Sequence, residues 1–365
     1  MRLKLTALAF IIGIITLIAC SSISSDSVKH SWKQFRGNHR NGVSAEVLIE
    51  EWTEKAPKLQ WKHEIGSGFS EVLASGSEVF TMVSEKTDSI SGSEFMVAYD
   101  ASSGKEIWKT MVDSMVIDPA GSGEGPRSTP AIDEDAIYCL SSFGYLRSLS
   151  RKDGRILWTV NLLQRFDNKP GWQYTTSPLL SEDEIIIEVG GTESRGFAAI
   201  DKNSGKTNWV HGEGVPSYSS PIQVTIDSTK QTIFANGSML KTFNKTGNEI
   251  WSYSIPVQGA IATPLFIAPN NIFVPYAGGC FMVKIDNNEV TEVFKGKSMK
   301  NNFNTSCYYN GHIYGVSGRA LTCISAADGE LQWSERGFGL GSVILVGDNL
   351  VALTDKGVLK LVEAA

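Results

Sequence analysis

The chain has 365 residues, 42% of them hydrophobic and 20% charged, with a formal net charge of −6. A mildly acidic surface without a Lys/Arg cluster cannot neutralise a row of phosphates, so nucleic acid is excluded as an expected partner. Length alone allows two ordinary domains, but all-β barrels and propellers commonly exceed that size as one unit.

Arg2 and Lys4 precede an apolar run from Leu5 to Leu17 that is too short to cross a bilayer as a permanent helix. Residues 1–19 therefore read as a signal peptide. The run ends in Leu17-Ile18-Ala19-Cys20, which is similar to a lipobox, and Cys20 is the expected lipidation site. Residues 20–31 then form the lipidated Cys and a polar tether. Loss of Arg2 and Lys4 on cleavage moves the formal net charge from −6 to −8. The expected location is the cell envelope. Ser21 in place of Asp after the Cys leans, by analogy with Gram-negative sorting, toward the outer membrane and a periplasm-facing body. Cys139, Cys280, Cys307 and Cys323 remain in a compartment that permits disulfides, yet none lies in a CxxC or CxxCH. Buried strand thiols are expected, since Cys packs like a small apolar residue.

Residues 32–365 carry an internal repeat of about 40 to 50 residues. An eleven-residue segment recurs with a small residue first, Gly seventh and Trp eleventh: AYDASSGKEIW from Ala98, SLSRKDGRILW from Ser148 and AIDKNSGKTNW from Ala199. KTFNKTGNEIW from Lys241 and CISAADGELQW from Cys323 follow the same pattern. Alternating apolar residues, a polar turn and a strand ending in an aromatic make this a β-hairpin. KIDNNEVTEVF from Lys284 puts Val290 and Phe294 where Gly and Trp are expected. Val cannot cheaply supply the positive φ of the turn. This hairpin must turn differently, and a weaker contribution is expected of Phe294.

Before each hairpin stands a hydroxyl-rich loop, often with Pro, and two more strand patterns. Arg127-Ser128-Thr129-Pro130, Thr175-Thr176-Ser177-Pro178, Tyr218-Ser219-Ser220-Pro221 and Ile261-Ala262-Thr263-Pro264 align, with looser versions at Phe69, Asn304 and Leu340. The unit is thus four antiparallel strands. Without helical patterns between units, the expected fold is all-β, a β-propeller of four-stranded antiparallel blades. Unit ends at Trp61, Trp108, Trp158, Trp209, Trp251, Phe294 and Trp333 give seven blades, the segment from Leu59 to Glu64 closing the last as an N-terminal strand. Eight is the alternative, if Lys33 to Trp52 builds an incomplete blade. Residues 32–51, opening with Trp32-Lys33-Gln34-Phe35-Arg36-Gly37, read as a capping segment over the propeller edge in preference to a ligand site.

The Gly-to-Trp hairpin resembles the tryptophan-docking motif of the quinoprotein-like propellers, over roughly residues 52 to 365. That family includes pyrroloquinoline-quinone dehydrogenases and BamB, the propeller lipoprotein of outer-membrane protein assembly. The resemblance implies structural roles for Trp108, Trp158, Trp209, Trp251 and Trp333 as rings packed between neighbouring blades. Burial of so large an apolar surface at a blade junction agrees with this.

A quinone dehydrogenase needs calcium to polarise the quinone, a carboxylate base and flat residues around the cofactor. The dehydrogenases of this family often add a vicinal Cys pair and are longer; this chain has no such pair. The five His lack HxH or HxxxH spacing, and no GxSxG or P-loop is present. No cofactor is therefore expected, with pyrroloquinoline quinone and calcium as the alternative. What remains is the propeller face where the loops before the inner strands converge. Its candidate binding residues are Arg127, Tyr174, Tyr218, Trp172, Glu124 and Asn304, residue types among which Arg, Tyr and Trp often carry interface energy. The expected function is a non-catalytic, monomeric binding or scaffold lipoprotein whose partners are other envelope proteins. The alternative is a quinone-dependent oxidoreductase.

Overall fold

The computed structural model describes residues 31–48 and 57–364, apart from 118–122, 169–172, 192, 214–216, 237, 256–261 and 302. Cys20 and Trp172 lie outside the described residues.

Seven sheets follow one another along the chain, each built of strands that pair antiparallel with the next in sequence. Blade 1 comprises Leu73–Ser75, Glu78–Lys86, Gly92–Asp100 and Glu106–Ser114, and blade 2 comprises Ala131–Ile132, Ala136–Leu140, Tyr145–Ser150 and Ile156–Asn161. Blade 3 is Leu179–Ser181, Glu184–Glu188, Phe197–Asp201 and Thr207–His211; blade 4 is Ile222–Ile226, Thr229–Asn236, Met239–Phe243 and Glu249–Ser254. Blade 5 is Leu265–Ile267, Asn271–Tyr276, Gly279–Asp286 and Glu289–Gly296; blade 6 is Cys307–Tyr309, His312–Ser317, Ala320–Ser325 and Leu331–Arg336. Blade 7 has Ser342–Val346, Asn349–Leu353 and Leu359–Glu363. First strands touch first strands of the next blade at 2/3, 5/6 and 6/7, which places them at the centre of the ring.

The chemistry of each strand follows its place. Middle strands such as Ala136–Leu140 are buried throughout, so they run apolar without alternation. Fourth strands such as Leu331–Arg336 are largely exposed and carry charges along their free edge, which discourages edge-to-edge pairing. The core is divided among the junctions. Separate apolar clusters join blades 1 and 2, 2 and 3, 3 and 4, 4 and 5, 5 and 6, and 6 and 7. Among the described residues no such cluster joins blade 7 to blade 1. All four described cysteines are buried, unpaired and in strands, as expected.

The recurrent Gly and Trp meet across blades. Trp108 lies on Gly154 and donates Nε1–H to Arg151 O at 2.9 Å; Trp158 lies on Gly205 and donates to Lys202 O at 2.9 Å. Trp61 covers Gly104 and donates to Ala101 O at 2.8 Å, and Trp209 covers Gly247. The glycine thus serves twice: its φ of +71° at Gly154 is left-handed, and a Cβ there would stand 2.4 Å from the indole of Trp108.

The fifth hairpin departs as its sequence requires. Asn287 and Asn288 take φ of +50° and +66° in a two-residue turn between Asp286 and Glu289, the combination of a type I′ turn. Trp251, which would have met a glycine there, is buried and donates instead to Gln231 Oε1 of its own blade at 2.9 Å. Phe294 corrects the expectation of weakness: it is buried and lies on Gly329 of blade 6 as the tryptophans do on theirs. The degenerate turn costs Trp251 its glycine and leaves Phe294 unaffected.

Seven blades are present; residues 33–48 build no eighth. Closure differs from the sequence expectation. Residues 57–64 form no strand. The N-terminal strand that joins blade 7 is Val43–Ser44, parallel to the inner strand Ser342–Val346. Trp61 nevertheless docks on Gly104 of blade 1 as the fourth-strand Trp108 of blade 1 docks on Gly154 of blade 2, and the His63 ring stacks on Tyr99 at 4.8 Å.

Candidate functional site

Strand direction defines the two ends of the channel. Inner strands begin at the face where interblade loops arrive and end at the opposite face. Ser31–Trp32 pairs antiparallel with Leu73–Ser75, Ser31 opposite Ser75, so the chain enters from that opposite face. It climbs to the starts of the inner strands and returns along blade 7 as Val43–Ser44.

Two buried arginines hold this loop inside the ring. Arg40 Nη1 donates to Pro221 O at 2.7 Å and Ser177 O at 3.3 Å, and Nη2 also bonds Pro178 O, tying blades 3 and 4 together. Arg36 donates to Ser306 O of blade 6 and to Asn41 O, while Ile132 N of blade 2 donates to Lys33 O at 2.8 Å. Glu71, at the start of blade 1, accepts Arg36 N at 2.8 Å and Trp32 Nε1 at 3.1 Å. Burial lowers the pKa of both guanidinium groups, that of Arg40 to about 9, which leaves Arg40 charged at neutral pH. Arg36 and Arg40 have φ of +60° and +54°, a left-handed backbone that the side-chain hydrogen bonds sustain. The segment read as a cap over the edge is therefore a plug in the channel. The reason is that unpaired carbonyls at the inner-strand starts converge there, and arginine is the donor with enough N–H groups to bridge several.

The hydroxyls of the Pro-containing loops form a girdle around the plug. Glu71 N donates to Thr129 Oγ1 at 3.0 Å, Thr129 N to Ser177 Oγ at 2.9 Å, Ser177 N to Ser220 Oγ at 2.9 Å and Ser220 N to Thr263 Oγ1 at 3.1 Å. Blades 2 to 5 thus each satisfy a backbone donor of the preceding one.

Of the candidate binding residues, some remain at the loop face and some do not. Tyr174 is a correction: it is 1% exposed, packed between blades 2 and 3, with its hydroxyl donating to Val189 O at 3.0 Å. Its ring seals the junction, where Gly144 lies beneath it. Arg127 is half-buried, donates Nη2–H to Gly123 O at 3.0 Å, and leaves Nε without a partner. Glu124 pairs with Lys86 at 2.6 Å and not with Arg127. Asn304 reaches Leu340 O at 3.4 Å. Tyr218 is half-buried against Phe303, ring centroids 5.8 Å apart.

Sequence reasoning missed the exposed members of this face. Phe303 is 62%, Phe69 59% and Leu340 53% exposed, and Phe143 in a turn of blade 2 is also open. Phe69 and Leu340 stood in the loop alignment, but only their exposure separates them from ring-sealing residues such as Tyr174. Beneath the same face lie two buried glutamates. Ser142 donates Oγ–H at 2.6 Å and its N–H at 3.2 Å to Glu94; Ser217 N donates to Glu188 at 3.0 Å, and Asn236 Nδ2 also bonds it. Burial pushes both carboxyls up to about 7.

The family described as outer membrane protein assembly factor BamB matches residues 48–161 and 95–335. BamB of Shewanella oneidensis is 20% identical over 251 residues, covering 63% of this chain and 59% of that protein. The quinoprotein ethanol dehydrogenase of Pseudomonas aeruginosa is 27% identical over 143 residues, 35% of this chain and 22% of that enzyme. The chain thus spans less than two thirds of the length of these curated relatives. Among solved structures, BamB from Moraxella catarrhalis aligns with a TM-score of 0.58 at 14% identity, covering 80% of this chain and 82% of that one. A europium-containing methanol dehydrogenase aligns at 0.63 and 12% identity, covering 92% and 85%. Repeat and docking hairpins agree with these matches, and the chain belongs to the family of outer membrane protein assembly factor BamB, the quinone-repeat propellers.

Proposed function

We propose that this protein is a non-catalytic scaffold of the cell envelope, held by lipid on Cys20 to the outer membrane with the propeller facing the periplasm. Its loop face would hold other envelope proteins. The observation that carries this reading is the apolar rim of Phe69, Phe143, Phe303 and Leu340, with Tyr218 beside it, on one face of a plugged ring. Large apolar side chains gathered on one face of a soluble body mark an interaction surface, and aromatics are the usual anchors. Family membership supports the same reading.

The residues present do not fit pyrroloquinoline quinone and calcium. A flat cofactor shared by all blades would lie on the ring axis, where Arg36 and Arg40 bond to carbonyls of blades 3, 4 and 6. The axial carboxylate, Glu71, is engaged by Arg36 and Trp32.

The test is a triple variant, Phe69→Ser, Phe303→Ser and Leu340→Ser, expressed in its lipidated form and recovered from membranes after cross-linking. It should melt near the parent and recover fewer envelope partners. An unchanged set of partners would remove the loop face from the reading.

A further inference from the structure

A groove between blades 6 and 7 inverts the charge of a chain whose formal net charge is −6. Its walls are strand ends at the loop face: the turn between His312–Ser317 and Ala320–Ser325, the end of Leu331–Arg336, and the turn between Asn349–Leu353 and Leu359–Glu363. They enclose about 900 Å³ and carry Arg319, Arg336, Lys356 and Lys360 against one carboxylate, Asp355. Residues 57–64, whose Trp61 docks on blade 1, take no part in this lining.

The positive charge there is uncommitted. None of the four cations forms an ion pair with a described residue; Lys360 stands over the Phe338 ring at 4.4 Å, and the other three are exposed. Asp355 is engaged by the backbone instead: its Oδ2 accepts Leu340 N at 3.4 Å, and a Cβ on Gly339 would stand 2.0 Å from the carboxylate. Both walls continue into the apolar rim. Lys300 N donates to Ser317 Oγ at 2.8 Å and Gly318 N to Lys300 O at 3.1 Å, which ties the loop of Lys300, Phe303 and Asn304 to the groove. Asn304 Nδ2 then donates to Leu340 O at 3.4 Å, so the exposed Phe303 and Leu340 border the cations.

Resting on the scaffold reading of the loop face, we propose that the partner it holds offers an acidic segment with a large apolar residue beside the carboxylates. The carboxylates would enter the groove against Arg319, Arg336, Lys356 and Lys360, and the apolar side chain would pack on Phe303 and Leu340. The cations stand on separate turns and strand ends, most of them exposed, which suits a row of carboxylates better than one phosphate. A phosphate site gathers backbone N–H groups and charged donors on a single anion. The chain has an acidic segment of its own in Glu50-Glu51-Trp52-Thr53-Glu54. Its described flanks both lie at the face opposite the groove: Val43–Ser44 runs parallel to Ser342–Val346 toward that face, and Trp61 docks on the 101–104 turn there. A partner's carboxylates are therefore the ones to which the groove is open.

The experiment uses the full mature protein and three short acetylated peptides: glutamates around a central leucine, the same with glutamine for glutamate, and the same with serine for leucine. Binding is read by fluorescence anisotropy. The glutamate–leucine peptide should bind and weaken as salt is raised, and each of the other two should bind about tenfold more weakly or worse. Arg336→Glu with Lys356→Glu, both exposed and without a side-chain hydrogen bond to a described residue, should weaken it about tenfold or more. Absence of binding by the glutamate–leucine peptide, or unchanged binding in that double variant, would overturn the proposal. Displacement of the peptide by equimolar inorganic phosphate or by phosphatidylglycerol vesicles would overturn it in favour of a phosphate or lipid-headgroup site. Self-association of the parent that the double variant abolishes would assign the groove to a second copy, and binding that appears only in Glu50→Gln with Glu51→Gln and Glu54→Gln would assign it to the chain's own segment; either result rejects the partner. Recovery of envelope partners after cross-linking separates this proposal from the scaffold reading. Partners lost with Phe69→Ser, Phe303→Ser and Leu340→Ser but kept with Arg336→Glu and Lys356→Glu would reject this proposal alone, and partners kept by both variants would reject both.

Discussion

The indole of Trp158 lies on Gly205 of the next blade so closely that a Cβ on Gly205 would stand 3.0 Å from the ring. The same relationship at Trp108 and Gly154 is tighter, at 2.4 Å. Gly76 has a similar φ of +64° but open space around it. Gly76→Ala should therefore cost only the left-handed backbone, about 1 kcal/mol, whereas Gly154→Ala adds overpacking of about 1–3 kcal/mol. Urea midpoints of the two variants separate the terms. Equal midpoints would mean that the indole moves aside freely.

Loss of the rings themselves should follow what each one covers. Trp158→Ala removes a ring and a hydrogen bond to Lys202 O, an expected cost of about 3–5 kcal/mol. Phe294→Ala should fall in the same range, because Phe294 is buried on Gly329. Trp333, half-buried like Trp158, has no glycine turn beneath it among the described residues, so Trp333→Ala should cost distinctly less. Denaturation of the three variants checks the order, and a Trp333 effect as large as that of Trp158 would assign it an unseen partner.

What could be read from the sequence was whatever repeats. Gly seventh and Trp eleventh specify a turn and a docked ring, and Val290 in the glycine's place announced a different turn through the same local rule. The plug was hidden because Arg36 and Arg40 bind backbone carbonyls, which leave no complementary side chain in the sequence. The girdle was visible as hydroxyl-rich loops, but its pairing of Thr129 with Ser177 and Ser177 with Ser220 crosses between blades. Tyr174 and Tyr218 hold neighbouring places in the loop alignment, yet one is buried at a junction and the other borders the rim.

Arg40 makes the strongest single claim on the plug. Its guanidinium spans carbonyls of blades 3 and 4, and an ammonium group has neither the reach nor the planar fork to do so. Arg40→Met should cost about 3 kcal/mol or more, since it strands buried carbonyls, and Arg40→Lys should recover less than half of that. Limited proteolysis within residues 31–48 should accelerate in both. A protease-resistant segment in Arg40→Met would show that Trp32 and Arg36 suffice to hold it.

The buried glutamates give the protein a pH dependence of definite sign. Burial, opposed in part by hydrogen bonds from Ser142, raises Glu94 to about 7; burial, opposed by Ser217 and Asn236, raises Glu188 likewise. In the unfolded chain both carboxyls titrate near 4.5. Between those values the folded state holds more protons than the unfolded one, so stability falls as pH rises. Their contribution is fully present below about 4.5 and is lost as pH rises through about 7. The depressed carboxyls of Asp100 and Glu182, near 2, act in the opposite sense but only in more acidic solution. Unfolding free energy should therefore decline from pH 5 to pH 8, by at most roughly 2–3 kcal/mol for each glutamate. Glu94→Gln with Glu188→Gln keeps the shape of both side chains and removes their titration. The decline should flatten in that double variant while the parent retains it, and an identical slope in both proteins would place the titrating groups elsewhere.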